Sequence, residues 1–153
     1  MRSSIVWAQS DLVLTYVQVG SEVDVLPLAD AAIDGGKRAG IPRIEGDVLS
    51  FDEVDLDGLA SLVPGAFAIP VLPVRRAIVA TPGTLLLVPL LAFDAVGRRL
   101  GSGRGFYDRY LRTFPGTAVG VAFSAQEVDA VPVEAHDVAL AAVVTESGWH
   151  RPS

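Results

Sequence analysis

Leu85 to Phe93 reads Leu-Leu-Leu-Val-Pro-Leu-Leu-Ala-Phe, a run without a single polar side chain. A stretch this short and this apolar suits a strand buried on both faces, and such strands belong to sheets covered by helices on either side. Leu12 to Val19 (Leu-Val-Leu-Thr-Tyr-Val-Gln-Val) is a second β-rich run, nearly continuous in apolar residues. Between the two runs, Pro27 near a helix start and Gly35-Gly36 near its end bracket Leu26, Leu28, Ala29, Ala32 and Ile33. Arg38 to Ile44 and Val48 to Phe51 read as short strands. Asp52 to Thr84, broken by several prolines and glycines, reads as a short helix with irregular connections. Further on, Tyr107, Tyr110, Leu111 and Phe114 fall at helical spacing, while Thr117 to Phe123 and Ala142 to Thr145 read as strands, with a loop-rich return between them. Strands alternating with helices predict an α/β fold, a single doubly wound three-layer domain over residues 1–153 with a mainly parallel sheet.

Charge narrows the function. The chain of 153 residues carries a net charge of −6, against the basic face that general nucleic-acid binding needs. Yet Arg98, Arg99, Arg104, Arg109 and Arg112 place five of its twelve Lys and Arg within one short stretch. That local excess in an acidic chain points to a negatively charged small ligand. There is no cysteine, so neither a disulfide framework nor a thiolate metal site exists. The N-terminal apolar stretch is broken at Gln9, Ser10 and Asp11, which makes a poor signal peptide. The longest uncharged run, Ala77 to Phe93, is cut by Pro82, Gly83 and Pro89 and is short for a membrane span. The expectation is a cytoplasmic monomer without nucleic-acid or membrane partners.

The arginines surround Gly101-Ser102-Gly103-Arg104-Gly105, which leads into Phe106-Tyr107-Asp108. Glycines at alternate positions let backbone amides crowd towards one point, and a helix opening at Phe106 adds free N–H groups. Arg99 and Arg104 offer forked donors to phosphate. Asp94-Ala95-Val96-Gly97 upstream has the residues of a type I turn. The loop is neither a dinucleotide fingerprint nor, at Gly36-Lys37-Arg38, an NTPase phosphate loop. Asp108 reads equally as a partner of the helix dipole or Arg112, or as a Mg²⁺ ligand. Glu22 follows the first strand, where open α/β sheets bind ligands, although an exposed loop carboxylate is the plainer reading. Lys37 and Arg43 flank a short strand and read equally well as solvated. His136 and His150 have no partner at metal-ligand spacing, and no nucleophile elbow is present.

From Leu87-Val88-Pro89 through Phe93-Asp94, Gly97 and Arg99-Leu100-Gly101 to Gly103, Gly105-Phe106-Tyr107-Asp108-Arg109-Tyr110-Leu111, the chain resembles the 5-formyltetrahydrofolate cyclo-ligases. Glu22-Val23-Asp24, Gly36-Lys37, Pro42-Arg43, Gly120-Val121-Ala122-Phe123 with Gln126, Val131-Pro132-Val133-Glu134, His136-Asp137 and Val144-Thr145-Glu146 follow in the same order, so the match runs from about 13 to 146. The resemblance implies an ATP- and Mg²⁺-dependent conversion of 5-formyltetrahydrofolate to 5,10-methenyltetrahydrofolate. It places ATP on Arg99, Leu100, Gly101, Ser102, Gly103, Arg104, Gly105, Phe106 and Tyr107, and Mg²⁺ on Asp108. The folate falls to Val17, Glu22 and Ser102 to Phe106. Phe106 stands where the family has tyrosine, and Ala141 where a second metal carboxylate is expected. The family's basic N-terminal helix is matched in Met1 to Asp11 only by Arg2, and its acidic or amide residue is absent around Ile69 to Pro73. The alternative reading is a folate- or nucleotide-binding relative without catalysis.

Overall fold

The computed structural model describes residues 1–135 and 137–152; His136 lies outside the described residues. Its central sheet has strands β1 (Leu12–Leu14), β2 (Arg38–Glu45), β3 (Val48–Val54), β4 (Thr84–Val88), β7 (Thr117–Val121), β8 (Ala142–Thr145) and β9 (Gly148–His150), in the order β3-β2-β1-β4-β7-β8-β9. The short strands β5 (Ala92–Phe93) and β6 (Arg99–Leu100) form a separate two-stranded ribbon. Every pairing from β2 through β8 is parallel, and an antiparallel hairpin strand closes each edge. The expected α/β architecture with a mainly parallel sheet is therefore observed.

Alternation along the strands builds two cores. Val13, Leu85, Leu87 and Val119 face one side, where Ala29 and Ala32 of helix α2 (Leu26–Asp34) cover them. A shorter helix, α1 (Ile5–Gln9), sends Trp7 into the same cluster. Leu12, Leu14, Leu86 and Val88 face the other side, against Leu111 and the aromatic residues of helix α4 (Phe106–Leu111). Single-turn α3 (Leu56–Leu59) lies in the long connection before β4. None of the helices among the described residues is long and apolar enough to cross a membrane.

Two strands are shorter than their apolar runs. The expected strand over Leu12 to Val19 ends at Leu14, although Thr15 continues one ladder bond to Gly40. Tyr16 and Val17 stay buried, but they leave the sheet to line a crevice. The run from Leu85 to Phe93 splits at Pro89, which lacks the N–H that a central strand must donate. Its second half pairs instead with β6, across the turn the sequence predicts. Gly97 N–H closes that turn on the Asp94 carbonyl at 3.1 Å, with φ of 82° at Gly97. Strand β9 has no clear sequence signal. β1 therefore has β2 on one side and β4 on the other, and both neighbours outrun it: a topological switch point with its crevice at the carboxyl ends of the strands.

Candidate functional site

A cavity of about 710 Å³ opens at this switch point, well within the size of small-molecule sites. Tyr16, Val17, Val19 and Glu22 descend into it from the end of β1, and Pro89, Leu90 and Leu91 from the end of β4. Pro42 and Ile44 form the wall contributed by β2, beyond the point where β1 stops. The glycine loop from Arg99 to Asp108 lines the opposite side without interruption. Val17, Glu22 and all the residues of the loop singled out in the sequence therefore meet in one cavity.

The ribbon β5–β6 sets the loop's entry. Asp94 is buried, and its Oδ1 accepts the N–H groups of Val96 and Arg98 while Oδ2 accepts that of Val131 at 2.9 Å. Arg98 Nε lies 2.9 Å from the same oxygen. Burial opposes ionisation of Asp94, but the backbone donors from Val131, Arg98 and Val96 outweigh it and hold the carboxyl below its ordinary range. Asp94 therefore ties the turn, the loop's entry and the Val131 return into one unit.

Within the loop, Gly103 and Gly105 have φ of 89° and 71°, values that strain any residue with a Cβ. Left-handed residues of this kind curl a backbone so that successive amides converge. Helix α4, with only six residues, has a small dipole, so the loop amides rather than the helix end make the anion cradle. Arg109 braces the cradle from outside. Its Nη1 donates to the Arg104 carbonyl and its Nη2 to the Asp47 carbonyl in the β2–β3 turn, each at 3.0 Å.

At the cradle's base Arg99 donates from Nη2 to Asp108 Oδ1 at 2.9 Å, and the same oxygen accepts the Val138 N–H at 3.2 Å. The Arg99 side chain is 5% exposed, and among the described residues its Nε has no hydrogen-bond partner. Burial lowers the pKa of the guanidinium below its ordinary value, while Asp108, Tyr107 and Asp137 pull it back. Burial also raises the Tyr107 phenol, reinforced by Glu22 and Tyr16 and opposed by Arg99. Glu22 is raised by burial too, against the Val19 N–H that its carboxylate accepts at 3.0 Å. An arginine held dry with a donor to spare is a group waiting for an anion.

The sequence did not single out Phe67. It lies in a strap between β3 and β4, with its ring centroid 5.5 Å from that of Phe106 and the Arg104 guanidinium 4.1 Å above it. Phe67 and the following Ala68 have φ of 55° and 60°; two non-glycine residues in the left-handed region are uncommon and costly. A lone aromatic in a proline-rich connection gives no periodic signal, which is why it escaped notice. Asp137 and Glu134 also line the cavity. Ala141 does not: its N–H bonds to the Ala118 carbonyl near the start of β7, at the amino end of the parallel strands. The expectation of a metal position at residue 141 is corrected accordingly, with Asp108 and Asp137 as the carboxylates at the loop.

Known proteins agree with this geometry. The family model for the 5-formyltetrahydrofolate cyclo-ligase family matches residues 1–146. The 5-formyltetrahydrofolate cyclo-ligase of Escherichia coli K12 is 35% identical over 147 residues, covering 88% of this chain and 78% of the relative. That of Mycolicibacterium smegmatis is 35% identical over 140 residues, covering 87% and 72%. The solution structure of Aquifex aeolicus 5,10-methenyltetrahydrofolate synthetase superposes with a TM-score of 0.83 at 33% identity, covering 98% of this chain and 76% of the other. With a full-length family match, a shared fold and the glycine loop set in its cavity, the chain belongs to the 5-formyltetrahydrofolate cyclo-ligase family.

Proposed function

We propose that the protein converts 5-formyltetrahydrofolate and ATP to 5,10-methenyltetrahydrofolate, ADP and phosphate, with Mg²⁺. The observation that carries this reading is the buried Arg99, with its unpartnered Nε, at the base of a glycine cradle that shares one cavity with a partly apolar cleft. A cradle of amides and arginines suits phosphate, and the adjoining wall of Tyr16, Val17, Pro42 and Phe67 suits a flat heterocycle.

An amide oxygen leaves only after activation, and ATP supplies that activation as a phosphoryl group on the formyl oxygen. Such a transfer asks a protein for positioning and charge stabilisation, not for a strong nucleophile. Amides from Gly101 to Gly105 and the arginines Arg99 and Arg104 hold the polyphosphate and the charge that develops on it. Tyr107, kept neutral by burial, can only donate from its hydroxyl or pack. Glu22 faces the same cavity from the β1 end and accepts N–H groups of the heterocycle. Among the described residues no three His, Cys, Asp or Glu side chains come together as a metal cage. Mg²⁺ is usually held by one or two carboxylates plus phosphate oxygens, and Asp108 and Asp137 fit that need. Cleavage of the phosphate from the activated oxygen accompanies attack by the neighbouring folate amine, which closes the ring.

The test mixes protein, 5-formyltetrahydrofolate and MgATP and follows methenyl absorbance, with binding of each ligand measured in parallel. Product formation that requires both MgATP and protein is the expected result. Binding of both ligands without product would leave a ligand-binding relative and overturn the reaction.

A further inference from the structure

The strap that carries Phe67 is held down by a buried ion pair that does not itself reach the cavity. Val63 and Val71 pair back to back, with N–H to O distances of 2.8 and 2.9 Å, and close the loop that presents Phe67 and Ile69. Directly after that closure, the carbonyl of Leu72 accepts Arg43 Nη2 at 2.7 Å. Arg43 Nε meets Asp52 Oδ2 at 2.6 Å, and the Asp52 side chain is only 2% exposed. The other oxygen of Asp52 accepts the Arg76 N–H at 3.1 Å. Two main-chain bonds then lay the strap along β3, from Glu53 N–H to the Arg76 carbonyl at 2.8 Å and from Ile78 N–H to the Phe51 carbonyl at 3.0 Å.

Arg43 and Asp52 thus grip the strap at both ends of its Leu72–Arg76 segment, from adjacent strands of the sheet. Neither lines the cavity, whereas Pro42 and Ile44 on either side of Arg43 do. A buried ion pair adds little net stability over apolar residues of the same volume, so what it contributes is a fixed geometry. The segment it fixes contains the two strained residues, and a strained conformation persists only where its surroundings over-determine it.

We propose that Arg43 and Asp52 are positioning residues. Their ion pair sets the height of the strap, and so the place of Phe67 over the folate end of the cavity. The proposal rests on the reading that this cavity takes the folate. The point of action is the Phe67 ring, so loss of the pair and loss of the ring are not independent.

A double-mutant cycle tests this. Equilibrium binding of 5-formyltetrahydrofolate is measured for wild type, Arg43→Met, Phe67→Ala and the double variant, with ATP binding beside it. Arg43→Met weakens folate binding about tenfold, as a displacement of an ångström can. Its ATP affinity stays within about twofold, and the double variant is no weaker than Phe67→Ala alone. Asp52→Asn behaves like Arg43→Met, while Arg43→Lys, which reaches one partner but not both, falls between. Independent, additive losses, or equal losses for both ligands, overturn the proposal. Trypsin gives a readout that needs no ligand: cleavage at Arg75 and Arg76 accelerates in Arg43→Met and in Asp52→Asn. A wild type that binds no folate refutes the proposed function, and the trypsin arm then still decides the latch, since unchanged cleavage overturns it.

Discussion

Arg99 shows at one residue how the site is held ready. Its charge is buried, one arm is committed to Asp108, and Nε is free for an anion. Removal of Asp108 leaves that charge without its partner, so Asp108→Ala should lose stability as well as metal binding. A loss of about 3 kcal/mol in urea unfolding is expected, the usual cost of breaking a buried pair. The exposed pair Arg38–Glu53, at 2.9 Å, should contrast with it: Glu53→Gln should cost less than about 1 kcal/mol. Equal losses would show that Asp108 does not hold Arg99. Glu22 gives the opposite sign. Its pKa is raised in the folded protein, chiefly by burial, so its contribution to stability is fullest at low pH and is lost as pH rises through the folded value. Glu22→Gln keeps an acceptor for the Val19 N–H and removes the desolvated charge. It should raise the melting temperature slightly at about pH 8, by under about 1 kcal/mol after screening, and the gain should vanish as pH falls towards the ordinary value of 4.5. A gain that grows on acidification would contradict the assignment. Arg99 and Asp108 were each legible in the sequence. Their pairing was not, because it depends on how the glycine loop turns between them.

At the scale of elements, two glycines separate function from packing. A Cβ on Gly103 meets nothing within 4 Å, but φ there is 89°. Gly103→Ala should therefore cost on the order of 1 kcal/mol in stability, the ordinary penalty of a left-handed alanine. It should weaken ATP binding further, because the loop relaxes towards negative φ and turns its amides away. At Gly116, between α4 and β7, a Cβ would stand 2.1 Å from the Thr84 carbonyl oxygen, and backbone cannot move aside cheaply. Gly116→Ala should cost about 3 kcal/mol or more, far from any ligand. Chemical denaturation and ATP titration of the two variants check the pair of claims, and a Gly103→Ala protein with normal ATP affinity would remove the loop from the nucleotide. Periodicity revealed most of these elements. Pro27 and Gly35-Gly36 bracket α2 as read, and the Asp94 turn closes as its residues require. The errors came where an apolar run did two jobs: Leu12 to Val19 begins as strand and continues as cavity wall, and Leu85 to Phe93 changes ribbons at Pro89. Burial alone does not distinguish a strand from a buried edge of a pocket.

At the scale of the molecule, the parallel centre and the antiparallel hairpins at both edges belong to one sheet, and the cavity lies where its connections part to opposite faces. Alternating strands and helices made that layout legible, but the strand order was not, since nothing local in β1 declares that β2 and β4 flank it. One consequence is testable without any ligand. Trp7 in α1 and Trp149 in the edge strand β9 are the only two tryptophans, far apart in sequence, yet both pack on the same core cluster. A chain that folds as one cooperative domain must expose them together. Trp149→Phe leaves Trp7 as the sole tryptophan reporter, and Trp7→Phe leaves Trp149. In urea the fluorescence of each should give a single transition whose midpoint agrees with that of far-ultraviolet circular dichroism on the same variant. The slopes should match as well, at about 1–3 kcal/mol per molar, because the slope measures the surface exposed and both probes then report the whole chain. If Trp149 titrates earlier and with a smaller slope, the β8–β9 edge unfolds on its own, and the single-domain reading gives way to a stable parallel core with a detachable hairpin.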